Sequence, residues 1–273
     1  MAARPLTLLG CFAHPDDETW SMSGSLALLA PKGIRCMIWT ATRGEAGEIA
    51  PDTGVEPENL AAVREAEERA ALAQVGVEQV LFGDFADGKV SDRADDLVRA
   101  VLALLEEVRP DVVVTMEPGG VTAHADHMAV SAATRIAFTA YVATLGDGKA
   151  GQGREPRLYY WGLPKSKLDR FRELAAEIGM EIPEEGQPFA PTGTPDGQFT
   201  CHVDTSAVAE LSARALREHR TQMGGMYALL ERPDLLPQIL SSEDYIRIHP
   251  VPDPGEPPES SLVEAFSGWG EGG

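Results

Sequence analysis

Two short clusters in this 273-residue chain contain residue types that can bind a metal ion and activate water. They are His14-Pro15-Asp16-Asp17-Glu18 and His124-Ala125-Asp126-His127. If Pro15 opens a helix, His14 and Asp17 are three positions apart and share one helix face. Asp16 then points about 100° away from that face. This spacing indicates His14 and Asp17 as ligands, leaves Asp16 free, and requires one more histidine from the second cluster.

Two histidines and one carboxylate, with a fourth position left for water, are typical of catalytic zinc, since structural zinc sites usually have four protein ligands and favour cysteine. A hydrolase also needs a carboxylate beside the water as general base, and Asp16 is the candidate. Either cluster alone also fits a solvated turn or the polar start of a helix. Because each follows a predicted strand, the two together favour a metal site.

The elements that must position these clusters alternate along the first half of the chain. Apolar runs predict strands at 6–13, 34–42, 79–82 and 111–116, and amphipathic segments predict helices after each of them. This order predicts an α/β fold, a Rossmann-like and mainly parallel sheet with helices on both faces. In such a sheet, loops at the carboxyl ends of the strands line the ligand crevice, where both clusters can converge.

The pattern loosens after residue 150 and predicts a decorated C-terminal part. A strand is expected at 158–163, with helices at 166–179 and 206–222. We expect a single domain over residues 1–250. Residues 251–273 are rich in Pro, Gly and Glu and predict a loosely ordered tail.

Composition limits the partners and the location of the protein. The 23 Lys and Arg residues against 43 Asp and Glu give a net charge of −20, which disfavours nucleic acid and anionic membranes as partners. No apolar run reaches the roughly 18 residues of a membrane span, and the N-terminal run fits a buried strand better than a signal peptide. Cys11, Cys36 and Cys201 lack paired spacing, so we expect reduced thiols and a cytoplasmic protein.

An ordered set of motifs over residues 5–140 resembles the PIG-L (LmbE-like) family of zinc-dependent N-acetylglucosaminyl deacetylases. Besides the two clusters, residues 42–47 (TRGEAG) match the family's TxGExG loop. Arg64 and Glu67 match its R-x-x-E helix, and Asp87-Gly88 matches its DG loop. The resemblance implies His14, Asp17 and His127 as ligands of Zn²⁺, with Fe²⁺ as the alternative ion.

The same resemblance implies roles for five further residues. Asp16 would be the general base, His124 would stabilise the oxyanion, and Asp126 would orient or tune a catalytic histidine. Arg64 and Asp87 would hold the sugar part of the substrate. The second cluster departs from the family's usual Gly-His-Pro-Asp-His, which is expected to alter the loop backbone without removing a ligand.

The implied reaction is hydrolysis of the N-acetyl group of a small N-acetylglucosamine-type conjugate, and the resemblance is compatible with a homo-oligomer. Two other functions use the same residues. A non-haem Fe(II) oxygenase also has a two-histidine, one-carboxylate site, but it does not require the free Asp16. A non-catalytic metal-binding module requires neither Asp16 nor His124.

Overall fold

The computed structural model of the protein describes residues 4–146, 154–187 and 189–266. Seven strands form one sheet: β1 Thr7–Phe12, β2 Arg35–Thr40, β3 Gln79–Phe82, β4 Val112–Met116, β5 Arg157–Trp161, β6 Cys201–Asp204 and β7 Ser242–His249. The α-helices are α1 Asp17–Leu29, α2 Leu60–Gln74, α3 Ala94–Val108, α4 Gly120–Ala123, α5 Ala125–Thr144, α6 Lys165–Glu177, α7 Ala209–Glu218, α8 Arg220–Met223, α9 Tyr227–Leu230 and α10 Leu236–Leu240.

The sheet has the strand order β3-β2-β1-β4-β5-β7-β6. The first five strands are parallel, whereas β7 runs antiparallel to β5, and β6 runs antiparallel to β7. The α/β fold class and the mainly parallel sheet predicted from the sequence are confirmed. Strand β7, the edge strand β6 and helices α6 to α10 form the decorated C-terminal part.

Alternate residues of the central strand β1 enter two separate cores, one on each face of the sheet. Leu8 and Phe12 pack with residues of α1 and α2 on one face. Leu9 and Cys11 pack with residues of α3 and α5 on the other face. Every residue of β1 is buried, as expected for a parallel strand that is covered by helices on both sides.

Local boundaries follow the apolar periodicity closely in the first half of the chain. Strand β3 has the predicted bounds, and α3 ends at Val108, immediately before Arg109-Pro110. The continuous helix predicted over 206–222 is wrong. It is divided into α7 and α8 at His219, whose backbone has φ −77° and ψ 55°. Among the described helices, none is long and apolar enough to cross a bilayer.

The chain reverses its winding direction between β1 and β4, which are neighbours in the sheet. After β1 the chain goes to β2 on one side, whereas β4 on the other side leads away to β5. Ligands of open α/β sheets bind at the carboxyl ends of the strands beside such a switch point. The two sequence clusters follow these two strands, so the topology brings them together.

The segment 251–266 differs from the loose tail that its composition predicts. Leu262 is buried, and Glu259 pairs with Cys201 through an isolated β-bridge. The Glu259 carboxylate is 8% exposed and accepts hydrogen bonds from Tyr159, Arg157 and Arg247. This part of the segment therefore packs against the edge of the sheet, while residues 267–273 lie outside the described residues.

Glu259→Ala is expected to lower the free energy of unfolding by about 3–5 kcal/mol, because it leaves the buried guanidinium of Arg247 and the partly buried one of Arg157 without their shared carboxylate. Urea denaturation with linear extrapolation measures this change. The control is Asp253→Ala, an exposed residue of the same segment, which should change the free energy by less than about 0.5 kcal/mol. Equal stability of the two variants would contradict the packing of this segment.

Candidate metal and active site

The first cluster forms the turn between β1 and α1. Helix α1 begins at Asp17, so Pro15 lies in the turn before the helix and does not open it. His14 and Asp17 nevertheless meet, because Asp17 Oδ2 accepts hydrogen bonds from the backbone N–H groups of Ala13 at 3.1 Å and His14 at 2.9 Å. These two bonds fold the carboxylate back over the turn, and Oδ2 lies 3.6 Å from Nδ1 of His14.

Donor atoms of His14, Asp17 and His127 converge beside this turn. Nδ1 of His14 lies 3.1 Å from Nε2 of His127, which in turn lies 3.2 Å from Oδ1 of Asp17. Ligand atoms about 2.0–2.2 Å from a tetrahedral ion are roughly 3.3–3.6 Å from one another. The spacing and the chemistry of this donor set, which we call the donor triad, therefore fit a zinc-sized ion.

The remaining ring nitrogens of the two histidines face oxygen acceptors. Nε2 of His14 lies 3.0 Å from Oδ1 of Asp87 and 3.4 Å from Oδ2 of Asp126. Nδ1 of His127 lies 3.0 Å from the carbonyl oxygen of Gly120. Metal-binding histidines usually donate their second N–H in this way, which fixes the tautomer and the ring orientation.

Two other donor groups share His14, one with His124 and His127 and one with Asp87 and Asp126. The donor atoms of these added residues are partly occupied by the backbone. Asp126 accepts from Gly88 N at 2.6 Å and Val90 N at 3.1 Å, and His124 Nδ1 accepts from Asp126 N at 3.2 Å. Asp17 instead directs Oδ1 at His127, so the donor triad is the best-formed of the three groups.

His124 lies over the donor triad and caps the start of α5. Its ring stacks on His127 at a centroid distance of 4.8 Å and packs against Phe189 at 5.5 Å. Because Nδ1 accepts the bond from the backbone of Asp126, the neutral ring carries its proton on Nε2. The preceding Ala123 has φ 54°, a left-handed conformation in which the family pattern has glycine.

Arg64 lies behind Asp16 and is only 3% exposed. Its guanidinium donates to the carbonyl oxygens of Pro15 at 2.6 Å and Gly44 at 3.0 Å, and to Oδ2 of Asp16 at 3.3 Å. A Cβ atom at Gly44, which has φ 67°, would overlap the guanidinium, so this glycine of the TRGEAG loop allows the close approach. The structure therefore places Arg64 as a support of the turn that carries Asp16.

The backbone of Asp16 is strained, with φ 117°, and its N–H is held by a buried acidic cluster. The N–H group lies 3.2 Å from Glu68 Oε2 and 3.4 Å from Glu18 Oε2. Thr19 connects Glu18 to His219, whose Nε2 lies 3.0 Å from the Thr19 hydroxyl. Glu68 and His219 were not predicted as part of the site, because Glu68 reaches Asp16, and His219 reaches Thr19, only through tertiary packing.

The electrostatics of the site combine burial with closely spaced opposite charges. Burial opposes the charge of His14, but the carboxylates of Asp126 and Asp87 raise its pKa to about 10. Burial would raise the pKa of Asp17, but His127 and His14 hold it well below its usual range. Burial, assisted by the charge of Asp17 and opposed by Arg64, raises the pKa of Asp16 to about 6. The carboxylates thus favour a positive charge at the centre of the donor triad.

The pKa values of two neighbouring histidines, His124 and His219, are lowered, because burial disfavours the charged imidazolium and no carboxylate offsets it fully. Burial, together with the charges of His14 and His127, lowers the pKa of His124, so its ring is neutral at pH 7. Burial lowers the pKa of His219 to about 3. These two histidines therefore act as neutral hydrogen-bonding groups, whereas His14 and His127 face carboxylates.

Sequence comparisons agree with the motifs. Residues 9–138 match the family described as PIG-L, GlcNAc-PI de-N-acetylase. The chain is 32% identical over 276 residues to the 1D-myo-inositol 2-acetamido-2-deoxy-alpha-D-glucopyranoside deacetylase of Rhodococcus erythropolis, a match that covers 90% of this chain and 92% of that protein. The family resemblance predicted from the motifs is confirmed.

Solved structures share the fold at low sequence identity. The N,N'-diacetylchitobiose deacetylase of Pyrococcus horikoshii has a TM-score of 0.58 and 20% identity, covering 90% of this chain and 86% of that one. The 4-carboxy-2-hydroxymuconate hydratase of Pseudomonas putida has a TM-score of 0.60 and 19% identity, covering 91% of this chain and 98% of that one. A deacetylase and a hydratase thus share this architecture, and the site must distinguish between the two chemistries.

Arg64→Lys is expected to lower the free energy of unfolding by about 2–4 kcal/mol, because one ammonium group cannot satisfy the three separate acceptors that the guanidinium fork reaches. Arg69→Lys on the same helix is the matched control. Arg69 is largely exposed and pairs with Glu65, so its replacement should cost less than about 0.5 kcal/mol. If urea denaturation shows no difference between the two variants, Arg64 does not support the turn.

Proposed function

Because the chain belongs to the PIG-L family, we propose that it is a metal-dependent N-deacetylase that hydrolyses the acetamide of a small N-acetylglucosamine-type conjugate. The observation that carries the proposal is the convergence of the donor triad with a fourth group, Asp16, that lies beside it without belonging to it. Zinc is the ion we infer, since two imidazoles, one carboxylate and an open position form its usual catalytic ligand set. When bound, such an ion lowers the pKa of a coordinated water toward about 7 and polarises a carbonyl group.

In this proposal Asp16 accepts the proton of the attacking water. Its raised pKa, about 6, is close to that of an effective general base near neutral pH. Oδ2 of Asp16 is held by the Arg64 guanidinium, and the strained turn fixes the position of the side chain. The water oxygen forms a bond to the carbonyl carbon as its proton moves to Asp16.

His124 donates a hydrogen bond from its Nε2–H group to the carbonyl oxygen as negative charge develops there, and it keeps its proton. The neutral tautomer suffices for this, so a protonated imidazolium is not required. Since the Nε2–H group is engaged with the oxygen, Asp16 returns the proton of the water to the leaving nitrogen. The C–N bond then breaks and gives a carboxylic acid and an amine, which exchange one proton to become carboxylate and ammonium.

Asp126 and Asp87 have positions that support a modified assignment. Both carboxylates face Nε2 of His14, so we assign Asp126 to orient His14 and not His124. Asp87 also accepts from Ala46 N at 3.0 Å, which connects it to the TRGEAG loop. Its carboxylate can bind a sugar hydroxyl from that side, whereas the buried Arg64 acts on the substrate through Asp16.

The oxygenase and the non-catalytic module explain less of the site. An Fe(II) oxygenase shares the two-histidine, one-carboxylate triad but gives no role to Asp16 or to the neutral His124. The cytoplasm is the location we infer, because Cys11, Cys36 and Cys201 are all buried and free, as in a reducing compartment. A homo-oligomer and the absence of nucleic-acid binding stay predictions.

Replacement of His14, Asp17 or His127 by Ala is expected to lower metal content and deacetylase activity together. The loss in metal affinity should exceed the roughly 10–100-fold that removal of an outer partner of a ligand causes. Metal analysis of the purified variants and an assay of released amine measure the two effects. His202→Ala, which removes a histidine paired with Asp244 outside the site, is the control. Full metal occupancy in a variant with all three residues replaced by Ala would refute the ligand assignment.

Asp16→Asn is expected to retain the metal and to lose about 10²–10⁴-fold in turnover, because an amide of nearly the same shape cannot accept the water proton. KM should change little, since the lost interaction is made mainly in the transition state. Asp17→Asn is the counterpart, and it should lose metal instead. The assignment of base and ligand is reversed if Asp16→Asn loses the metal while Asp17→Asn keeps it.

A further inference from the structure

A cavity of about 250 Å³ opens beside the donor triad, toward β5 and β7. Asp17 and His127 form its wall on the side of the triad, and helices α6, α7 and α10 contribute the far walls. Several of its lining residues are only half-buried, so the cavity reaches the protein surface. Asp87, in contrast, lies on the other side of His14, where its Oδ1 is 3.0 Å from Nε2 of that ring, whereas Nδ1 of the same ring faces His127. The donor triad therefore lies between a polar region and this cavity.

The lining of the cavity is mainly apolar. Most of its side-chain surface comes from large hydrophobic residues, among them Trp20, Met116, Val121, Trp161, Leu163 and Phe171. The charged residues at its edge are already paired. Lys167 forms an ion pair with Asp244, and Glu243 accepts from Gly24 N at 2.7 Å and Ser25 N at 2.8 Å.

Outside these pairings and the donor triad, the polar side chains of the lining are the hydroxyl groups of Ser23, Thr122, Ser212 and Ser242 and the amide of Gln238, which pairs with Arg170. The hydroxyl of the buried Ser212 has no hydrogen-bond partner among the described residues. A hydroxylated sugar would place much of its polar surface against the apolar side chains that form most of the lining, at a cost for each group left unsatisfied. An apolar chain, by contrast, gains from every methylene that it buries there.

The size of the cavity exceeds what an acetyl group needs. A water molecule takes up roughly 30 Å³ of liquid, and a methyl group is of similar size. A cavity of about 250 Å³ therefore accommodates several methylene groups beyond the methyl of an acetamide. An amide carbonyl held at the donor triad has two substituents, the nitrogen with its sugar and the acyl chain. The polar side suits the first, and the cavity suits the second.

We propose that this cavity, termed the acyl cavity, binds the acyl chain of the substrate, and that the protein prefers N-acyl sugars with chains longer than acetyl. By volume, the preferred chain has roughly four to eight carbons. The proposal rests on the proposed function and extends its substrate class from the acetamide to amino sugars with a longer N-acyl chain, which release a medium-chain carboxylate.

The test compares N-acetyl-, N-butyryl-, N-hexanoyl- and N-octanoyl-glucosamine as substrates of the zinc-loaded full chain, with released amine as the readout. We expect kcat/KM to rise roughly threefold for each methylene that the cavity buries, so that hexanoyl exceeds acetyl by at least about tenfold. Phenyl β-N-acetylglucosaminide is included because an apolar aglycone could also occupy the cavity.

Three outcomes would overturn the proposal. If acetyl is the best acyl group and longer chains react more slowly, the cavity does not bind the acyl chain. If only the phenyl glycoside gains over N-acetylglucosamine, the cavity holds the aglycone. If no member of the series releases amine, the proposed function itself fails. The first two outcomes leave deacetylation intact and are thereby distinguished from the third.

Ser212→Leu tests the location of the chain, because it places a larger side chain in the cavity from α7, away from the donor triad. The hexanoyl-to-acetyl ratio of kcat/KM should fall by at least about tenfold in this variant. Glu210→Leu introduces the same side chain on the exposed face of the same helix and should leave the ratio within about twofold. If the hexanoyl-to-acetyl ratio of kcat/KM is the same in both variants, the acyl chain binds elsewhere. If Ser212→Leu does not fold, the chain-length series on the wild-type protein still decides the proposal.

Discussion

The buried, charged carboxylate of Asp17 is the constraint on which the site depends. A carboxylate out of water is costly unless hydrogen bonds and opposite charges compensate it. Asp17 receives two backbone N–H groups from the turn before α1 and faces the imidazoles of His14 and His127. This arrangement requires the turn to fold sharply back on itself, and it brings the loop after β4 against the loop after β1.

The sharp turn requires a strained backbone at the neighbouring residue Asp16, which has φ 117°. Buried groups around Asp16 hold its backbone in this conformation. Arg64 binds the carbonyl side of the turn, and the carboxyl groups of Glu68 and Glu18 bind its N–H side. Burial raises the pKa values of both glutamates, that of Glu18 to about 7, so the pair avoids two full charges in contact. A strained backbone of this kind persists only where its surroundings determine it fully.

The fold supplies the crevice, while the loops around it determine the chemistry. The sheet is shared with both a deacetylase and a hydratase, so the strand order by itself does not specify the reaction. In the proposed function, the reaction is specified by the carboxylate of Asp16 beside the donor triad and by the neutral ring of His124 over it. Strand β5 and helices α6 and α10 add the apolar walls toward which the triad opens.

The sequence by itself determined the fold class, the bounds of several elements and the two clusters, because these depend on local periodicity and on a few types of side chain. Strand β3 is an example, since its bounds follow directly from a short apolar run between polar residues. The tertiary structure alone decided which atoms face one another. It turned Arg64 toward Asp16, 48 positions away, and Asp126 toward His14, 112 positions away. Such pairings compensate buried charge between residues far apart in the chain, and the apolar periodicity of the sequence does not predict them.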